Sequence, residues 1–151
     1  MEGLHAQLIV MAATAVTIAL AVLVHFEGLV VLGRHLAGRT ALVDASGMRG
    51  HWSMLWVIAG LLILHGIEIG VFGMAYWGLS HLLGIAGTHG GLLESIYLSA
   101  SSYSTVGFGD VEPLAQLRFL VATESVVGLL LIAWSGSFTF LEMSRHWRSE
   151  L

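Results

Sequence analysis

Cysteine and lysine are both absent from the 151 residues, proline occurs once, and only 11% of the chain is charged. Without cysteine there can be no disulfide and no thiolate, whether as nucleophile or as metal ligand. Without lysine the fixed positive charges are six arginines, at positions 34, 39, 49, 118, 145 and 148. A net charge of −4 offers no footprint for nucleic acid, and none is expected as a partner. Soluble domains carry about a quarter charged residues. The shortage here, beside 56% hydrophobic residues, identifies an all-α membrane protein whose partner is the lipid bilayer. No stretch is long enough for a soluble ligand-binding domain, so no small-molecule substrate is expected. Repeats and low-complexity linkers are lacking. No apolar segment carries arginine at every third position, which excludes an arginine-ladder voltage sensor.

What is present is apolar run after apolar run. Residues 4–31, 52–77 and 118–143 each exceed the ~20 residues that cross ~30 Å of hydrocarbon as a helix. The first lacks a basic flank and an A-x-A cleavage site, so it reads as a retained helix. The expected layout is a first transmembrane helix within 1–33, a loop at 34–51, further helices at 52–77 and 118–143, and a tail at 144–151. Between the last two helices, residues 92–104 are too short to span. They fit a re-entrant helix that follows the Gly90-Gly91 break, with Glu94 suited to the positive end of its dipole. Arg34, Arg39 and Arg49 in the first loop, and Arg145 and Arg148 after the last span, place both segments in the cytoplasm of a multi-pass cell-membrane protein. The N-terminus and the loop at 78–91 are then outside, with Arg118 the one outer arginine. Trp52 and Trp77 bracket the second span and Trp147 follows the third, as interfacial tryptophans do. Trp134 reads as packing, and His81 and His89 as solvated loop residues.

Directly after the re-entrant segment comes Thr105-Val106-Gly107-Phe108-Gly109-Asp110. A potassium ion in a narrow pore needs oxygens to replace its lost water, and inward-facing backbone carbonyls can provide them. In an ordinary strand, successive carbonyls alternate sides. Bringing them to one side needs backbone angles that L-residues avoid, and Gly107 and Gly109 take such angles without a Cβ penalty. Thr105 can add a hydroxyl at the inner end, while Val106 and Phe108 would point away and brace the strand against the re-entrant helix. Irregular backbone at membrane depth is tolerated only inside protein or lining water. One copy cannot surround an ion, so the motif requires a ring of chains.

These six residues resemble the selectivity filter of potassium channels. The resemblance extends over residues 52–143, with 52–77 as outer helix, 92–104 as pore helix, 105–110 as filter and 118–143 as inner helix. It implies a homotetramer that binds K⁺ at Thr105, Val106, Gly107 and Phe108, with Gly109 completing the filter and Asp110 at the outer mouth. Pro113 matches the proline of the return loop, Arg118 the arginine opening the inner helix, and Gly128 the inner-helix hinge; Gly128 also reads as a close-packing glycine. Ile132, Gly136 and Phe140 fall on one helix face and are the expected pore lining, Phe140 being the constriction. There are departures. Phe108 replaces the commoner tyrosine, Leu98 follows Tyr97 where many members have two aromatics, and Ser101 stands where some carry a carboxylate bracing the filter acid. The first helix is additional to the two-helix plan.

Deep within the spans lie His25, Glu27, His65, Glu68 and Glu124. A charge in lipid costs a few kcal/mol, so each is expected to face protein or water. His65 and Glu68, three apart, share a helix face. With Glu124 they form the expected polar cluster, for which His25 and the pore-helix hydroxyls are available partners. The cluster reads either as hydrogen bonding that fixes packing, as a histidine-based pH gate, or as the metal centre of a membrane enzyme. The last needs several ligands to converge, and HExxH spacing is absent. The chain is expected to conduct K⁺ passively, with no cofactor and no catalytic activity. The alternatives are a non-selective or sodium-passing cation channel and a non-conducting regulatory subunit.

Overall fold

The computed structural model describes residues 2–40, 48–83, 91–113 and 116–148. Their regular elements are helices α1 (Glu2–Thr40), α2 (Met48–Leu82), α3 (Leu92–Tyr103) and α4 (Arg118–Arg148). Three contain apolar stretches long enough to cross a membrane, at Leu4–Leu36, Met54–Leu82 and Arg118–Arg145. The helices outrun the apolar runs that mark them in the sequence. α1 continues past residue 33 to Thr40, α2 past 77 to Leu82, and α4 past 143 to Arg148. His81 therefore lies on a helix, with Nδ1 2.7 Å from the Trp77 carbonyl, and not in a loop. Residues 84–90, including His89 and Gly90, and residues 41–47 of the expected cytoplasmic loop lie outside the described residues. At 1.5 Å per residue α1 is about 58 Å long, so it must tilt or project beyond the hydrocarbon.

α3 is wedged between α2 and α4, and α1 packs on the outside against those same two helices. α1 runs antiparallel to α2 through a reciprocal fit. A Cβ on Gly28 would come within 2.6 Å of Leu64 Cδ1, and one on Gly60 within 2.9 Å of Leu32 Cδ1. Each leucine thus fills the notch opposite it, the small-residue packing that joins helices in lipid. α1 runs parallel to α4: Val10 shares an apolar cluster with Leu117 and Leu120, and Gly33 lies against the Phe138 ring. The N-terminal half of α1 is therefore at the end of the bundle where α4 begins.

Two apolar clusters stack along the bundle. One holds Ala21, Phe72, Tyr76, Leu98, Tyr103, Leu120 and Leu131; the other holds Leu29, Val57, Leu61 and Leu64. His25, His65 and Glu68 occupy the chain positions between the two. α3 is seated by two tight backbone approaches. A Cβ on Gly73 would lie 2.8 Å from Ile96 Cα, and one on Gly128 only 2.3 Å from the Tyr103 carbonyl oxygen. Only glycine fits at either place, because the neighbouring atoms are backbone and cannot turn aside.

Candidate functional site

The end of α3 hands the chain to an exposed loop, residues 104–110. Positive φ occurs at every second residue of it: 60° at Thr105, 61° at Gly107 and 76° at Gly109, but not at Val106 or Phe108. Alternation between left- and right-handed backbone turns successive N–H groups to one side, and so successive carbonyls to the other. The hydrogen bonds follow that pattern. Two consecutive N–H groups face the same residue: Gly107 donates to the Ser101 carbonyl at 3.1 Å and Phe108 donates to Ser101 Oγ at 3.1 Å. An ordinary strand would send them to opposite faces. Thr105 N–H closes back on the Ser102 carbonyl at 3.0 Å, tying the first residue to the helix end.

The glycine positions follow from the sequence. Thr105 does not: a β-branched residue at φ 60° is uncommon, and it is held there against a cost of about 1–2 kcal/mol. Its place two residues before Gly107 was the available signal. Ser101 was also missed as a support, since its sequence position suggests only a lost carboxylate. Asp110 is held by Tyr97 instead, whose hydroxyl donates to Oδ2 at 2.8 Å, while Val111 N–H donates to Oδ1 at 3.1 Å. Phe108 stacks on the Tyr97 ring with centroids 6.2 Å apart, so it does brace the strand on α3. Val106 is 57% exposed in the single chain, and Phe108 67%.

The expected cluster of His65, Glu68 and Glu124 divides into two. In the first, Glu68 accepts from donors on three helices. His25 Nδ1 of α1 is 2.8 Å from Oε1, His65 Nδ1 of α2 is 3.0 Å from Oε2, and the Tyr103 hydroxyl of α3 also donates to Oε2. Every neighbour is a donor, the arrangement an ionised carboxylate requires. In the second, Glu124 accepts from the Tyr76 hydroxyl and sits 2.6 Å from Ser99 Oγ, which is itself 2.9 Å from the Ile69 carbonyl. Ser99 has one proton and two acceptors. Glu124 is separated from His65 and Glu68 along α3: it meets Ser99, one turn before the Tyr103 that meets Glu68. The histidine that joins Glu68 is His25, which the sequence offers only as an available partner.

Gly128 sits inside an unbroken α4 against the Tyr103 carbonyl, so close packing is the role its geometry displays. Ile132, Gly136 and Phe140 are all exposed, one helical turn apart, on a face of α4 that the chain leaves uncovered.

Two spanning helices that bracket a short helix and an exposed loop, all apolar without, define a membrane protein of the pore-loop class. Residues 52–143 match the ion channel family, and the chain belongs to that family. The matched segment covers most of α2, all of α3 and the loop, and most of α4, and leaves α1 outside it. It is a family of channels and not of enzymes. No curated protein and no solved structure matches the chain.

Proposed function

We propose that the chain is one subunit of a homotetrameric channel that lets potassium ions pass passively and selectively. The observation that carries this reading is the alternation of positive φ at Thr105, Gly107 and Gly109 in a loop whose N–H groups face α3. The carbonyls of Thr105, Val106, Gly107 and Phe108 then face away from the protein, with Gly109 completing the row. Four such rows around an axis would replace the water of a K⁺ ion, and the Thr105 hydroxyls would extend the ladder inward. One row touches an ion on one side only, which is why four copies are required. Exposed Val106 and the open face of α4 are surfaces that neighbouring copies would cover.

Asp110 at the outer mouth would concentrate cations. The carboxyl end of α3, where its dipole is negative, would favour a cation in the cavity beneath. Ile132, Gly136 and Phe140 would line that cavity, with Phe140 as its narrowest ring and Gly128 as the pivot of α4. The distribution of arginines supports an N-terminus and filter mouth outside the cell membrane and a C-terminus in the cytoplasm. The chain performs no covalent chemistry. Its test is ion flux into liposomes holding the purified protein. Uptake of K⁺ and Rb⁺, exclusion of Na⁺ and block by Ba²⁺ are expected. Equal passage of Na⁺ would replace this reading with a non-selective cation channel, and no flux at all would replace it with a regulatory subunit.

A further inference from the structure

The gathering of ligating groups at His25, His65 and Glu68 has no part in the conduction path described above. The three residues come from α1 and α2, and one ligand atom from each lies within 4.8 Å of the others. His25 Nδ1 is 2.8 Å from Glu68 Oε1, and His65 Nδ1 is 3.0 Å from Oε2. His25 and Glu68 are fully buried, while His65 keeps 17% of its side chain exposed. Behind them the Tyr103 hydroxyl holds the second carboxylate oxygen and lies 2.9 Å from His65 Nδ1. His25 Nε2 is buried without a partner.

We propose that His25, His65 and Glu68 bind a divalent transition-metal ion of the zinc class, at a site that exists only when α1 is docked on α2. Two imidazoles and one carboxylate suit a borderline cation, whereas K⁺, Mg²⁺ and Ca²⁺ take oxygen ligands. With metal–ligand bonds of about 2.0 Å, tetrahedral ligands stand about 3.3 Å apart. The nitrogen–oxygen separations of 2.8 and 3.0 Å are within a few tenths of an ångström of that. Both imidazoles bind neutral through Nδ1, so the proton each ring holds there moves to its own Nε2, and only a proton beyond one per ring leaves to solvent as the metal enters. Three protein ligands leave a fourth position for water or a small anion. The Tyr103 hydroxyl fixes the carboxylate from behind, the supporting contact that such ligands require. His65, the exposed member, marks the side of entry. The matched family segment begins at residue 52 and so contains only two of the ligands. α1 contributes the third, which gives this helix a purpose beyond packing: it completes a clasp that Tyr103, two residues before Thr105, supports from behind.

The test is a titration of the purified, untagged full chain in nanodiscs with Co²⁺ as the spectroscopic probe, followed by Zn²⁺ in competition. One equivalent of Co²⁺ per chain is expected, with the visible bands of four-coordinate cobalt, and stoichiometric Zn²⁺ should remove them. His25→Gln and His65→Gln should each weaken binding at least tenfold. His81→Gln, on the exposed end of α2, should leave it unchanged. Zn²⁺ should also raise the melting temperature of the unmutated chain in proportion to its occupancy. Failure of the folded unmutated chain to take up one equivalent overturns the proposal. So does equal affinity in folded His25→Gln. If neither histidine variant folds, the spectrum of the unmutated chain decides alone. None of these readings requires ion flux, so the site and the conduction reading can fail separately.

Discussion

Thr105 carries the backbone angle that an L-residue accepts least readily, and the two glycines after it repeat that angle without penalty. Gly109→Ala places a Cβ 4.0 Å from the Gly107 carbonyl oxygen, an ordinary contact, but on a residue at φ 76°. The expected result is therefore strain of about 1–2 kcal/mol in every chain rather than a clash. Rb⁺/Na⁺ discrimination should be lost in flux measurements while membrane insertion persists; retained discrimination in a folded assembly would remove the filter assignment. Ser101→Ala leaves the Gly107 hydrogen bond but orphans the Phe108 N–H, at a cost of about 1–2 kcal/mol per chain. It should shorten the time over which selective flux lasts in a reconstituted preparation. Gly128→Ala is different in kind, since its Cβ would meet the Tyr103 carbonyl at 2.3 Å. About 3 kcal/mol of destabilisation is expected, visible in thermal melts. The glycines were legible in the sequence because no other residue takes their angles freely. Thr105 and Ser101 were not, because their parts depend on which way N–H groups point, and that is a property of the folded turn.

At the scale of helices, the spans were legible because hydrocarbon demands an unbroken apolar run. Their ends were not, because a helix continues into polar residues wherever water can accept its surface, as α1 does through His35 and α2 through His81. The pairing of ionisable groups was legible only within one helix. His65 and Glu68 are three residues apart, but His25 meets Glu68 across 43 residues, and that required knowing which face α1 presents. Tyr103→Phe removes one donor from Glu68 while leaving the ring packed on Phe72. It should lower stability by about 1–3 kcal/mol in a denaturation assay. On α4, cysteines at 132, 136 and 140 should react with internally applied thiol reagents in conducting protein, and Trp134, which contacts His25, should not when replaced likewise. Inaccessibility at all three would put the lining on another face.

At the scale of the whole molecule, the chain leaves the most distinctive part of itself bare: residues 104–110 are exposed in the single copy. A site assembled at the axis of a ring belongs to no one subunit, and this has a genetic reading. If four chains share one filter, a chain with Gly109→Ala poisons every assembly it enters. With equal amounts of altered and unaltered chains mixing at random, only about one assembly in sixteen escapes. Coexpression should thus depress selective flux far below half, and a drop to one half would mean that each chain conducts alone. The lesion would be inherited as a dominant trait, although the protein made from the sound copy is itself intact.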